Sequence, residues 1–107
     1  MDEYPAIQLY QGATSVVQVD LEDFDMQGGS VVLTVRRRKP PRTVVASFEM
    51  AEPGVHDVVF KDEETALLEV GEGKYEYDVM WHVGEERFPQ CAPSPVSVAR
   101  TVGGLIP

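Results

Sequence analysis

The chain of 107 residues has a single cysteine, Cys91, and only nine basic residues against 18 acidic ones. One cysteine excludes an intramolecular disulfide and is typical of a protein made in a reducing compartment. The formal net charge of −9 argues against a nucleic-acid partner or an anionic membrane surface, since both are themselves negative. No apolar run approaches the about 20 residues that a transmembrane helix needs. We therefore expect neither nucleic acid nor membrane as a partner.

The N-terminal residues 1–5 are acidic and lack the apolar core of a secretory signal, so we expect no signal peptide. The length fits one domain, and a hydrophobic content of 43% is ordinary for a globular protein. We expect a single β-sandwich domain over residues 1–107. Its core should span about residues 6–102, followed by a loose C-terminal tail at 103–107.

Strict alternation of side chains is clearest between Val70 and Val83. One face carries apolar and aromatic residues: Tyr75, Tyr77, Val79, Trp81 and Val83. The other face is polar: Lys74, Glu76, Asp78 and His82. This period of two predicts a half-buried antiparallel strand whose aromatic face packs against a second layer. We expect Trp81 to be buried between the two sheets.

Further alternating runs predict strands over residues 7–10, 15–21, 30–38, 44–50 and 56–60, with a last strand that includes Val96, Val98 and Val102. Residues 62–68 read as one helical turn, and the prolines in 39–42 mark a turn because they cannot donate to a ladder. Gly84 to Glu86 form a hairpin turn that leads into Arg87 and Phe88. Seven to eight short strands at this spacing predict an all-β, immunoglobulin-like antiparallel β-sandwich.

A basic block interrupts the acidic sequence. Five of the nine basic residues lie within seven positions: Arg36, Arg37, Arg38, Lys39 and Arg42. Such a block could bind phosphate, nucleic acid or an acidic protein, and the alternative is a solvated hairpin tip. Nucleic acid is disfavoured because its recognition usually involves a wider basic face. We treat the five residues as a possible partner contact.

The acidic segment 23–28 resembles the start of a calcium loop, with carboxylates at alternate positions before Gly28. Its twelfth position is Thr34, where an EF-hand requires a bidentate glutamate, and a strand follows in place of a helix. A complete EF-hand is therefore excluded. Two alternatives stay open: a solvated inter-strand loop, and a looser calcium site formed by Asp20, Glu22, Asp23 and Asp25.

Catalytic and cofactor signals are weak throughout. Two distant histidines, His56 and His82, with one cysteine are too few for the usual zinc site, and nothing resembles a nucleophile elbow. Aromatic side chains on the strand 73–83 could stack sugar rings, but the valines that share their face favour a core. We expect no catalytic residue, no cofactor and no metal.

Several short motifs occur in a recognisable order: Gln11-Gly12-Ala13-Thr14, then 28–36 (GGSVVLTVR), Pro53-Gly54-Val55, 73–79 (GKYEYDV) and Pro95-Val96-Ser97-Val98. Together they resemble the small immunoglobulin-like domains of phage and prophage virions, especially the N-terminal domain of baseplate upper proteins. The resemblance spans about residues 7–102. It implies a module that joins other virion proteins and has no catalytic residues.

We therefore expect a non-catalytic phage or prophage structural protein, from a tail, baseplate or related part of the virion. Its partners would be other virion proteins or further copies of itself, in the virion or in the cytoplasm of a bacterial host. The alternatives are a carbohydrate- or ligand-binding β-sandwich module and a cytosolic protein-interaction adaptor that uses the basic block.

Overall fold

Eight strands and one helical turn account for most of residues 5–90 and 93–100, which the computed structural model describes. Alternation of inward and outward side chains sets the strands, and glycine or proline segments separate most of them. In chain order the elements are β1 (Ile7–Tyr10), β2 (Ser15–Asp20), β3 (Ser30–Arg37), β4 (Val44–Met50), β5 (Val55–Phe60), α1 (Asp62–Thr65), β6 (Gly71–Val83), β7 (Glu86–Pro89) and β8 (Ser94–Ala99).

The strands form two sheets of unequal size. The larger sheet has the order β1-β8-β6-β3-β4, with β7 pairing with the C-terminal part of β6. The smaller sheet contains β2 and β5. These sheets confirm the predicted immunoglobulin-like β-sandwich, whose strands are antiparallel except that β1 runs parallel to β8. β1 therefore pairs with the last strand of the chain and not with β2, its neighbour in sequence, which lies in the smaller sheet.

The core lies between the sheets and consists of the inward positions of nearly every strand. Its fully buried strand residues come from four strands, β1, β3, β6 and β8, and include Leu9, Val31, Leu33, Val35, Tyr75, Val79, Val96 and Val98. The smaller sheet contributes Val58 and Phe60, and the Phe60 ring lies 5.0 Å from that of Phe48, centroid to centroid. The predicted inward positions of β2, β3, β5 and β8 are thus confirmed within the described residues, although Val44, predicted to face inward on β4, is exposed at the start of that strand.

A tyrosine corner fixes the connection from β5 to β6. The Tyr75 side chain is fully buried, and its hydroxyl accepts a hydrogen bond of 2.8 Å from the backbone N–H of Glu69. This is the arrangement found at the corresponding corner of immunoglobulin domains. Within the same connection, the buried Thr65 hydroxyl donates to the carbonyl of Ala13 at 2.8 Å. These two bonds attach the connection to the body of the sandwich.

Replacing Tyr75 with phenylalanine should destabilise the domain by about 1–3 kcal/mol, because the Glu69 N–H would lose its partner in a partly buried place. Urea unfolding followed by far-ultraviolet circular dichroism measures this loss. Tyr10→Phe is the matched control, since Tyr10 is 46% exposed and its change should alter stability by less than about 0.5 kcal/mol. Equal stability of the two variants would contradict this account of the corner.

Trp81 departs from the sequence prediction because it is only partly buried. It lies towards the end of β6, where the segment between β2 and β3 covers it in place of a sheet. Its ring contacts Phe24 at 5.5 Å and Phe88 at 5.2 Å between centroids, and its Nε1 donates to the carbonyl of Met26 at 3.0 Å.

Some predictions fall outside the described residues, namely those for Cys91, for Val102 and for the tail at 103–107. No helix among the described residues has the length and apolar character that crossing a membrane requires.

Candidate functional site

The sheet divides the basic block, because the neighbouring side chains of Arg36 and Arg37 reach different partners: Arg36 reaches Asp78 and Glu76, and Arg37 reaches Glu69. Arg36 lies on the outer face of the larger sheet, where its Nη2 donates to Asp78 Oδ2 at 2.5 Å and its Nη1 lies 3.5 Å from Glu76 Oε2. The hydrogen bond to Asp78, with the negative charges of both carboxylates, raises the pKa of Arg36 against the opposing effect of burial. Arg36 therefore links β3 to β6.

The next three basic residues, Arg37, Arg38 and Lys39, line a cleft at the end of β3. This charged cleft, of about 550 Å³, is formed by the end of β3 and by the residues around the start of β6. Its lining residues are Arg37, Arg38, Lys39, Glu69, Glu72, Gly73 and Lys74. Four cations and two carboxylates thus meet at one place, on a chain whose net charge is −9.

A carboxylate of the chain itself already occupies part of the charged cleft. Glu69 Oε2 lies 3.3 Å from Arg37 Nη1 and 3.7 Å from Lys74 Nζ, so the two cations converge on one oxygen. The Arg37 guanidinium also lies over the Tyr75 ring, 5.4 Å from its centroid, which holds the side chain in place. The cleft therefore has the geometry to hold a carboxylate.

Two residues of the basic block are exposed and carry unmatched charge. Among the described residues, neither Lys39 nor Arg42 forms an ion pair. Arg38 is held only loosely, with its Nε 3.9 Å from Glu76 Oε1 and 56% of its side chain exposed. Of the five predicted contact residues, these three are the most accessible to a partner.

Acidic residues gather at the other end of the sandwich, where β2, β4 and β6 end and β3 and β5 begin. Eight carboxylates lie there: Asp20, Glu22, Asp23, Asp25, Glu49, Glu52, Glu85 and Glu86. We call residues 20–25 the acidic loop. The molecule therefore has one strongly acidic end and, at the opposite end, the charged cleft.

The acidic loop uses two of its carboxylates to shape its own backbone. Asp20 Oδ1 accepts from the N–H of Glu22, and Asp25 Oδ1 accepts from the N–H of Gln27, each at 3.0 Å. In the part of the chain that the structure describes, no three His, Cys, Asp or Glu side chains converge as a metal site would require. The four carboxylates of the loop, at Asp20, Glu22, Asp23 and Asp25, are all exposed.

A second surface, which the sequence patterns did not single out, lies on the outside of the smaller sheet. Val16 and Val59 are directly opposite each other there and are 56% and 37% exposed, and Val55 on the same face is 50% exposed. We call these three residues the valine face. Their outward positions in the alternation of β2 and β5 are the sequence signal that could have identified them. Within the described residues, both outer edges of this two-stranded sheet are unpaired.

The remaining residues considered as sites are apart from one another. His56 and His82 lie in different sheets, with His56 Nε2 at 2.5 Å from the carbonyl of Glu52. Tyr75 and Tyr77 are buried in the core, so these rings and Trp81 do not form an exposed platform for sugar stacking.

Sequence reasoning also missed the part that Glu69 and Lys74 take in the charged cleft, since both are far from the basic block in sequence.

Comparison of the chain with protein-family models and with curated proteins gives no match.

Proposed function

We propose that this chain is a non-catalytic structural protein of a phage or prophage virion that docks onto other virion proteins. The valine face is the observation that carries a docking role. It places three branched apolar side chains in solvent on a sheet with two unpaired edges, and exposed apolar groups beside free strand edges favour contact with another protein. The sequence resemblance to virion domains supports the class of partner.

The two-stranded sheet is suited to docking because it is rigid on its inner side. Val19, Val58 and Phe60 anchor it to the core, so the outward residues are held in place before a partner arrives. A preorganised surface loses little conformational entropy on binding. The immunoglobulin-like sandwich thus acts as a scaffold that presents this face.

The proposal is tested by isolating particles from the bacterial host that carries the gene and quantifying their proteins by mass spectrometry. We expect the chain in purified particles at a fixed ratio to the tail proteins. Its absence from particles, with the protein free in the lysate, would overturn the virion assignment.

Changing the valine face should separate docking from folding. We expect Val16→Ser with Val59→Ser to lower incorporation into particles at least about tenfold, because a partner would lose its apolar contact. Val44→Ser with Leu67→Ser is the matched control, since these apolar side chains are 54% and 84% exposed and lie outside the valine face. Thermal melting of both variants checks folding. Equal incorporation of all three proteins would remove the valine face from the docking role.

A further inference from the structure

We infer that the charged cleft binds the acidic loop of a second copy of this chain, so that copies associate head to tail. The inference rests on the proposed structural role and adds a contact between identical copies. The charged cleft is separate from the valine face, whereas the acidic loop adjoins it, since Asp20 lies opposite Val55. The observations that carry the inference are the charge of each surface, the carboxylate already held in the cleft, and the positions of the two surfaces at opposite ends.

The cleft is complementary to an acidic peptide segment. Arg37 and Lys74 converge on the Glu69 carboxylate, which shows that the donors there suit a carboxylate. Lys39, on the same rim, has no ion pair among the described residues and can receive a further one. A nucleic-acid strand fits less well, because its closely spaced phosphates would meet Glu69 and Glu72 as well as the acidic body.

The acidic loop supplies carboxylates in a fixed arrangement. Asp23 and Asp25 are exposed. The residues that follow each of them are anchored, since Phe24 packs against Trp81 and Met26 is only 6% exposed. The backbone of the loop is thus held from the inside while its charges point outward. A loop that is already ordered pays little entropy when it enters the cleft of another molecule.

The placement of the two surfaces determines the kind of assembly. Strand β3 begins beside the acidic loop and ends at the charged cleft, and its eight residues separate them by about 25 Å at about 3.3 Å per residue. One molecule therefore cannot satisfy its own cleft with its own loop. In a head-to-tail contact each pair leaves one cleft and one loop free, so association continues into a ring or an open chain, whereas a closed two-fold dimer would need two copies side by side and antiparallel.

Salt concentration decides whether the contact is observable. Two copies that each carry a net charge of −9 repel one another over the long screening distances of dilute buffer, about 30 Å at 0.01 M salt. At 0.1 M this distance is about 10 Å, so the repulsion between whole molecules falls while the close ion pairs persist. At 0.5 M and above the ion pairs are weakened as well. The contact is therefore best measured near 0.1 M salt.

Sedimentation velocity of the full chain over a range of concentrations tests the inference. At 0.1 M salt we expect association beyond the dimer that increases with concentration and decreases at 0.5 M. Arg38→Gln with Lys39→Gln should lower the association constant at least about fivefold, and so should Asp23→Asn with Asp25→Asn. Asparagine at position 25 keeps the oxygen that accepts from Gln27.

Matched controls change the same number of charges elsewhere on the molecule. Lys61→Gln with Arg87→Gln removes two positive charges outside the cleft, and Asp57→Asn with Glu63→Gln removes two negative charges outside the loop. Both controls should associate like the unchanged chain. Association that depends only on net charge would alter the controls as much as the test variants, and it would overturn the inference.

Mixing the two test variants gives the sharpest result. Each variant alone retains only one functional surface, whereas an equimolar mixture pairs the intact loop of one with the intact cleft of the other. We expect a heterodimer that stops at two molecules. A wild-type assembly that also stops at two, or a mixture that stays monomeric, would overturn the head-to-tail contact.

Two further results separate this inference from the proposed function. A wild-type chain that stays monomeric at every concentration while a synthetic peptide of residues 20–26 binds the cleft would assign the site to another acidic protein and overturn self-association. A chain that is monomeric yet present in purified particles would also overturn self-association, and it would leave the virion role intact. A chain that assembles but is absent from particles would overturn the virion role and leave self-association intact.

Discussion

Replacing Trp81 with alanine should destabilise the domain by about 3 kcal/mol, at the lower end of the cost of removing a buried tryptophan because the ring is only partly buried. The ring holds Phe24 from the acidic loop and Phe88 from β7, and its Nε1 satisfies the carbonyl of Met26. Alanine removes all three contacts at once. Thermal melting should show a decrease of more than about 10 °C, since each kcal/mol shifts the midpoint of a domain this size by about 4–8 °C.

Two other variants separate the contributions of the Trp81 ring. Trp81→Phe keeps an aromatic contact but removes the donor to Met26, so about 1–2 kcal/mol should be lost. Phe88→Ala should cost less than Trp81→Ala because Phe88 is 38% exposed. Hydrogen exchange should then show residues 21–29 losing protection in Trp81→Ala and retaining it in Phe88→Ala. A Trp81→Ala protein that melts within a degree of the unchanged chain would contradict this role of the ring.

Strand positions could be predicted from sequence because each strand carries its own alternation. The alternation within one strand identifies its inward face without information from any other segment, as it does for Val58 and Phe60 on β5 and for Val96 and Val98 on β8. Burial of that face is the main local constraint, so the class of fold follows from it. The parallel pairing of β1 with β8 depends on where two distant segments meet, and no local pattern encodes it.

Trp81 shows where reasoning from a single strand stops. Its position on the apolar face was predicted correctly, but the layer that covers it was not. Near the end of a sheet, an apolar side chain is covered by a neighbouring loop, and Trp81 is covered by the segment that contains Phe24 and Met26. That choice depends on tertiary packing, and therefore the degree of burial could not be obtained from periodicity.

The basic block shows the same limit for the candidate site. Five cations that are adjacent in sequence suggested one tip, but side chains on a strand alternate between faces. Arg36 consequently meets Asp78 and Glu76, whereas Arg37 meets Glu69. The partners lie about forty residues away for Arg36, and only the pairing of β3 with β6 brings them together. Sequence alone could identify the charges but not which of them were already matched.

Replacing Arg36 with alanine should cost about 2–3 kcal/mol. Asp78 and Glu76 share one face of β6, with side chains that are 15% and 13% exposed, and Arg36 is the cation between them. Without it, Asp78 would lose its ion pair and Glu76 would keep only the long contact with Arg38, so two partly buried carboxylates would lie close together with little neutralisation. This costs more than the loss of an exposed ion pair. Asp78 should account for more of this cost than Glu76, because its Oδ1 is buried and has no hydrogen-bond partner among the described residues.

A double-mutant cycle with Asp78→Asn separates this pair from general destabilisation, and urea unfolding gives the four stabilities. We expect a coupling energy of about 1–2 kcal/mol between Arg36 and Asp78, within the range for residues in one ion-pair network. Most of it should persist in 0.5 M salt, since partly buried charges are screened less than exposed ones. Lys74→Ala is the control, because its pair with Glu69 is about half exposed on both sides and should contribute less than about 1 kcal/mol. If Arg36→Ala proved as mild as Lys74→Ala, Arg36 would be a surface charge free to meet a partner, and the whole basic block would again be available as one contact.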